Sequence, residues 1–354
     1  MKSMRIRKNV KNLSFDEKAK FFNAVLTLKN RSSVLHPDDS TKNRYDDYVE
    51  IHLNAMMAMS MTNPAVDPNW YPGWAHNGPA FFPWHRQLLL QFENDLQTVN
   101  ATVTIPYWDW TDNASSPFTT DFMGSDGEPA PPENPQEPEK VVDGPFAFDG
   151  PNNWTVNVKD DNTIPNFLQR GLGRMSNAQN LPTVLEVQNA LAPLQYDNPP
   201  WKLSSAGFRT QVEYRLHNLV HRWVNGTMML AASPNDPVFW LHHANVDRLW
   251  ANWQLQHEGV CPYLPTFGAM IGHSLYDQLI FNSIPPSPWS GSSSAASVLD
   301  HHVLGYTYDS EPQQLAFEVP QPMHATLTTK HIVSKFPLMK EINALTRKKK
   351  NRRK

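Results

Sequence analysis

The stretch Phe208-Arg-Thr-Gln-Val-Glu213-Tyr-Arg-Leu-His217-Asn218-Leu-Val-His221-Arg222-Trp223 decides how this chain folds. It contains neither proline nor glycine, and Glu213, His217 and His221 recur at four-residue intervals. The spacing predicts a helix over 208–223 with those three side chains along one face. An i,i+4 histidine pair on a helix is a chelating geometry, because both imidazoles project the same way about one turn apart. Just downstream, the turn Ser233-Pro-Asn-Asp-Pro237 leads into a second helix over 238–256. There His243, Val246, Trp250 and Trp253 fall in step, which puts His243 on the apolar stripe and leaves His242 beside it.

Upstream, Ser14-Phe-Asp-Glu17 reads as a capping box that opens an amphipathic helix over 15–29, with Phe21, Phe22, Val25 and Leu28 as its stripe. A helix over 44–60 carries Tyr45, Tyr48, His52, Met56 and Met59 on one face. His76 stands near the end of a loop rich in Pro, Gly, Asn and Trp, over 63–79. A helix from Pro83 to Val99 follows, and His85 shares the face of Leu88 and Phe92. Ile105 to Trp110 reads as short and extended, and 112–164 as a long surface excursion, since Ala130-Pro-Pro-Glu-Asn-Pro-Gln-Glu-Pro138 suits neither a helix nor a central strand. A short strand is expected over 302–308, and an amphipathic helix over 332–345. The fold class expected is mainly α: a four-helix-bundle core with long irregular loops and a few short strands. Residues 1–312 form one domain, and 313–354 a C-terminal appendix.

A chain of 354 residues suits one large domain or two ordinary ones. With 40% hydrophobic and 11% aromatic residues it can bury a full core, which excludes global disorder. The single cysteine, Cys261, excludes a disulfide scaffold and any CxxC motif. No apolar run approaches the roughly 18–20 residues of a membrane span. The net charge is −3, yet Arg347 to Lys354 carry seven positive charges, so the body stands at −10. An acidic body with a basic tail does not suit nucleic acid, and the tail reads as a solvated terminus or a contact for an acidic surface. The opening Met1-Lys-Ser-Met-Arg-Ile-Arg-Lys8 lacks the apolar stretch of a signal peptide. The default compartment is therefore the cytoplasm, with export alongside a partner as the alternative.

Six histidines form two groups, His52, His76 and His85, and His217, His221 and His243. A lone histidine on an apolar face is ordinary core, but two aromatic-flanked groups of three are not. Neutral imidazoles without thiolate or carboxylate suit Zn, Cu, Ni or Fe over Mg and Ca. The Glu-x-x-His pairs of a helical di-iron carboxylate site are absent, as is the zincin motif, since His257-Glu258 runs on into Gly-Val-Cys261. Two all-histidine sites suit copper.

His76-Asn-Gly-Pro-Ala-Phe-Phe-Pro-Trp-His85-Arg resembles the first copper motif of the tyrosinase family. Leu216-His217-Asn-Leu-Val-His221-Arg-Trp-Val, with Ser233-Pro-Asn-Asp-Pro-Val-Phe-Trp-Leu-His-His243-Ala-Asn-Val-Asp-Arg-Leu-Trp250, resembles the second. The likeness is to bacterial tyrosinases in particular. It runs from Arg5-Ile-Arg-Lys-Asn-Val10 to Tyr306-Thr-Tyr308, and covers 112–164 and the tail weakly.

The resemblance implies two copper ions, one on His52, His76 and His85 and the other on His217, His221 and His243, with O2 as co-substrate. It implies ortho-hydroxylation of monophenols and oxidation of o-diphenols to o-quinones, on small phenolic substrates such as tyrosine and catechols. A phenol of pKa about 10 must lose its proton first, and Glu213 and Asn218 match the family residues thought to hold the water that takes it. Arg222 would sit at the pocket mouth. Phe239 would be a pocket wall or plain core, and Asp247 would orient an imidazole or make a helix salt bridge. Some relatives tie a ligand histidine to a cysteine, and Cys261 lies too late in the chain to do so. The rival readings are a catechol or o-aminophenol oxidase without hydroxylation and, more remotely, an O2 carrier like haemocyanin. A copper-delivery partner belongs to the same picture. Phe317, Met323 and Phe336 of the appendix are available to cover the site, the alternative being a loosely attached tail.

Overall fold

The computed structural model describes residues 4–57, 73–202, 206–281 and 293–311. The appendix, with Phe317, Met323, Phe336 and the helix expected over 332–345, lies outside the described residues.

Helix α1 spans Phe15–Lys29 and starts where its capping box dictates: the Glu17 amide donates to Ser14 Oγ, and the Ser14 amide to the Glu17 carboxylate. It buries Phe21, Ala24, Val25 and Leu28, and Phe22 packs at the core's edge. Helix α2 (Arg44–Met57) is described to three residues short of the expected end. Helix α3 (Phe81–Val99) begins two residues before Pro83, which is tolerated in a first turn where amides have no intrahelical partner. Helix α4 (Val184–Leu191) was not expected, although Thr183 and Glu186 make a second capping box.

The helix expected over 208–223 is not uniform. It runs as α5 (Phe208–Thr210), a π-helical stretch (Gln211–His217) and α6 (Asn218–Val224). The Asn218 amide donates to the Glu213 carbonyl, five residues back. This widening changes the phase at which His217 and His221 leave the helix, and such turns favour functional sites. Helix α7 (Val238–Gln256) keeps the expected bounds.

Two small sheets complete the fold. Strand β1 (Arg5–Arg7) pairs in parallel with β4 (Tyr306–Tyr308), in the register Arg7 opposite Tyr308. Strands β2 (Glu139–Lys140) and β3 (Gln169–Arg170) are antiparallel. The expected strand over 302–308 thus narrows to three residues. Ile105–Trp110 forms only an isolated bridge, Asn9 with Tyr107, because no strand runs alongside it.

Helix α3 packs on α7 and α1 packs on α2 and α3. Between them lie large fully buried side chains, with Phe92 stacked on Trp240 at 3.7 Å between ring centres and Phe208 on Trp253 at 4.6 Å. Each such ring contributes about 1.5–3 kcal/mol by leaving water. No described helix is long and apolar enough to cross a membrane.

A buried ionic cluster closes the ends of the domain onto these helices. Asp247 Oδ1 accepts from Arg86 Nε at 2.5 Å, while Oδ2 accepts from the hydroxyls of Tyr306 (2.6 Å) and Tyr308 (2.5 Å) and from Arg7 (3.2 Å). Arg7 also pairs with Glu93 at 3.1 Å. Neither expectation for Asp247 holds as stated: it makes ion pairs, but across the fold to Arg86 and Arg7 and not along its own helix. All its bonds go to arginines and tyrosines, from segments far away in sequence, and none goes to an imidazole.

Candidate metal centre

His52 comes from α2, His85 from the first turns of α3, His217 from the end of the π stretch, His221 from α6 and His243 from α7. His76 comes from the loop before α3. The helices bring all six to one place. In the first trio the ring centres lie 4.8–5.7 Å apart. In the second they lie 4.5–5.8 Å apart. The trios face each other, with His85 stacked on His243 at 4.2 Å and 13°, and His76 5.6 Å from His217.

Hydrogen bonds fix which nitrogen four of the six rings offer. Nδ1 of His52 donates to the Ala231 carbonyl (2.7 Å), that of His85 to Phe81 (2.8 Å) and that of His221 to Met228 (2.6 Å). Nδ1 of His217 donates to Asn218 Oδ1 (2.8 Å). With the proton on Nδ1, each Nε2 carries a lone pair. The Nε2 atoms converge: His76 to His52 at 3.3 Å, His217 to His243 at 3.3 Å and His221 to His217 at 3.1 Å. His85 Nε2 is buried without a partner. Between His217 and His221, both anchored through Nδ1, the facing lone pairs repel and cannot share a hydrogen bond, so they need a cation between them. A tetrahedral ion with bonds of about 2.0 Å to nitrogen has donor–donor edges of about 3.3 Å. The donor set therefore fits two transition-metal ions.

Protonation does not compete. Burial first, then neighbouring imidazoles, holds His52, His85, His217 and His243 well below the ordinary histidine range, so they are neutral at pH 7. His242 is also buried, stacked on His217 at 5.0 Å and against Trp110 at 5.1 Å, and neither of its ring nitrogens has a partner among the described residues. Its ligand atom lies within 4.8 Å of those of the second trio. His243 is the ring that also stacks across onto His85, as its helix phase requires.

Glu213 precedes His217 by four residues and Asn218 follows it directly. Glu213 is buried, with Oε1 accepting from the Asn77 amide at 2.6 Å, 3.6 Å from His76 Nδ1, and Oε2 accepting from Arg209 at 2.8 Å. Burial pushes its pKa up, but His76, Arg209 and the Asn77 amide outweigh it and leave the carboxylate below its usual range. Arg209 is held in turn by Asp197 at 2.8 Å. Phe239 is fully buried, 5.0 Å from His52 and 4.1 Å from His243. Arg222 is half-buried, with its Nε unpartnered among the described residues. Cys261 is a buried free thiol that donates to the Tyr263 carbonyl, and no histidine is tied to it.

Phe81 escaped the sequence reading. Its ring lies 4.9 Å from both His85 and His217 and 5.6 Å from His76. The signal was available, because Phe81 precedes His85 by four, but the helix was expected to start at Pro83.

The description "Common central domain of tyrosinase" matches residues 42–256. The tyrosinase of Streptomyces glaucescens is 40% identical over 315 residues, covering 87% of this chain and 100% of that protein. Grixazone synthase of Streptomyces griseus is 34% identical over 336 residues, covering 86% and 99%. Among solved structures, a mutant polyphenol oxidase of Thermothelomyces thermophila superposes with a TM-score of 0.51 at 26% identity, covering 71% of this chain and 70% of that one. An octopus hemocyanin functional unit shares the fold, with a TM-score of 0.51 at 24% identity over 86% and 68%. The motif-bearing helices, the facing histidine trios and a match that spans whole relatives agree: the chain belongs to the tyrosinase family.

Proposed function

We propose that this protein is a copper-dependent tyrosinase that uses O2 to hydroxylate monophenols at the ortho position and to oxidise o-diphenols to o-quinones. The carrying observation is the pair of trios, whose neutral Nε2 lone pairs converge from both sides of the His85–His243 stack. Two copper ions, when bound, supply the two electrons for O2 reduction and the Lewis acidity that draws a phenolate.

The chain's own residues do the rest. The Nδ1 anchors of His52, His85, His217 and His221 fix the tautomer and direction of those four rings before the metal arrives. Phe81 and Phe239 wall the rings and exclude water, which strengthens every charge interaction inside. Glu213 and Asn218 hold the water that removes the phenol proton. Glu213 is a weak base with a fixed negative charge, and Asn218 Oδ1 is already aimed at His217. Arg222 attracts substrate carboxylates. The ligand histidines His52, His76, His85, His217 and His243 are buried, and a delivery partner that presents copper to them belongs to this reading.

One observation favours a second reading, in which only catechols or o-aminophenols are oxidised. Both oxygens of Glu213 are engaged, by the Asn77 amide and by Arg209. Metal analysis followed by O2 uptake on tyrosine and on its ortho-dihydroxy analogue tests both. Uptake with both substrates at two coppers per chain supports the tyrosinase. Uptake with the dihydroxy compound alone supports the second reading, and no uptake by fully loaded protein overturns both.

A further inference from the structure

A second group of metal-ligating side chains lies away from the dicopper centre, at the C-terminal edge of the domain. His301 and His302 stand in the turn before β4, with their ring centres 4.0 Å apart, and Glu311 folds back onto them. The Glu311 carboxylate splits its oxygens between the two rings, with Oε1 2.8 Å from His301 Nε2 and Oε2 3.0 Å from His302 Nε2. Asp300 Oδ1 lies 3.7 Å from the other ring nitrogen of His302, Nδ1. The ligand atoms of Asp300, His301 and His302 all lie within 4.8 Å of one another. His301 and Glu311 are buried, whereas the His302 side chain keeps 34% exposure.

We propose that His301, His302 and Glu311 form a third metal site, open to solvent, that takes one divalent transition ion, Cu(II) in preference to Zn(II). Two imidazole nitrogens and a carboxylate are the donor set that borderline divalent ions favour, and copper binds such a set more tightly than zinc. The nitrogen–oxygen separations of 2.8 and 3.0 Å already approach the edge of a ligand polyhedron with bonds of about 2.0–2.2 Å. When the ion binds, each ring gives its Nε2 to the metal and carries its proton on Nδ1. Asp300 faces that proton on His302, an arrangement in which a carboxylate orients a ligating histidine. The two carboxylates balance the charge of the ion, and the exposed side of His302 leaves a coordination position for water. Because Glu311 follows β4 while His301 precedes it, the ion would fasten the edge of the β1–β4 sheet.

The test uses the full-length protein loaded with two coppers per chain, which fills the two trios and leaves the third site free. It is dialysed against Zn2+, and zinc and copper are then counted in the same sample. The expected result is one zinc per chain with copper content unchanged. Glu311→Gln and His302→Ala should each weaken zinc binding at least tenfold and leave the catalytic copper in place. Co2+ in place of Zn2+ should give the visible absorption of a four- or five-coordinate nitrogen/oxygen site, lost in the same variants. Because His302 is partly exposed, its alanine variant keeps the test open even if Glu311→Gln fails to fold. Zinc uptake that is absent, matched by an equal loss of copper, or unchanged in His302→Ala overturns the proposal.

Discussion

Replacing Asp247 with Asn would separate ion pairing from imidazole orientation. The substitution keeps the shape and removes the charge that Arg86 and, in part, Arg7 rely on. Arg7 retains both carboxylate oxygens of Glu93, at 3.1 and 3.2 Å. Arg86 is fully buried and, among the described residues, keeps the carbonyls of Val298 and Leu299 and the face of Trp250, 3.9 Å away, but no other carboxylate. Breaking a buried pair on one side costs about 3–5 kcal/mol, because an uncompensated charge stays inside. The asparagine oxygen can still accept from one of the two tyrosine hydroxyls, so a loss of roughly 4 kcal/mol is expected. At about 1.5 °C per kcal/mol for a domain of this size, the melting temperature should fall by roughly 6 °C. Urea unfolding should show a lower midpoint with an unchanged slope. Copper content below the melting temperature should be normal, since no ligand imidazole bonds to Asp247. A change under about 1 kcal/mol would refute the cluster's weight, and copper loss at undiminished stability would restore the imidazole-orienting role.

Further tests follow from the centre itself. Asn218→Leu removes the acceptor for His217 Nδ1; copper affinity at the second trio should fall about 10–100-fold, measured by competition with a chelator. Phe239→Ala opens a cavity against His52 and His243 and should destabilise the copper-free protein by about 3–5 kcal/mol in urea titrations. The copper-free protein should lose stability in acid. His273, buried beside the loop that carries His76, is pushed by burial down to about 4, and the ligand histidines shift the same way. The unfolded chain then takes up protons first, so stability is full above about pH 6.5 and falls as pH drops toward 4. His273 alone accounts for about 3 kcal/mol of that fall, and a flat urea midpoint between pH 7 and 4.5 would contradict it.

Local signals were legible where one segment carried them whole. The Ser14–Glu17 box and the stripe from His243 to Trp253 set the bounds of α1 and α7, and helix phase selected His243 beside His242. What was hidden depends on distant partners. The π stretch shows in no residue type, and four-residue spacing suits an ordinary helix equally well. Its Glu213 answers to Asn77, far upstream, and to Arg209. Asp247 draws its partners from β1, α3 and β4. Strands of three residues, such as β1 and β4, carry too little pattern to pair by eye.

The most direct measurement of the central claim is to count copper and unpaired spins in the same Cu(II)-loaded sample of the His302→Ala variant, which lacks the outlying His301–His302–Glu311 site. Two coppers held by facing trios and bridged by one oxygen ligand couple their spins, so the account expects two coppers per chain with almost no electron paramagnetic resonance signal. His85→Ala should halve the copper and reveal the signal of the remaining ion. Two coppers with a full two-spin signal would mean that the trios hold their metals apart, and the account would fail.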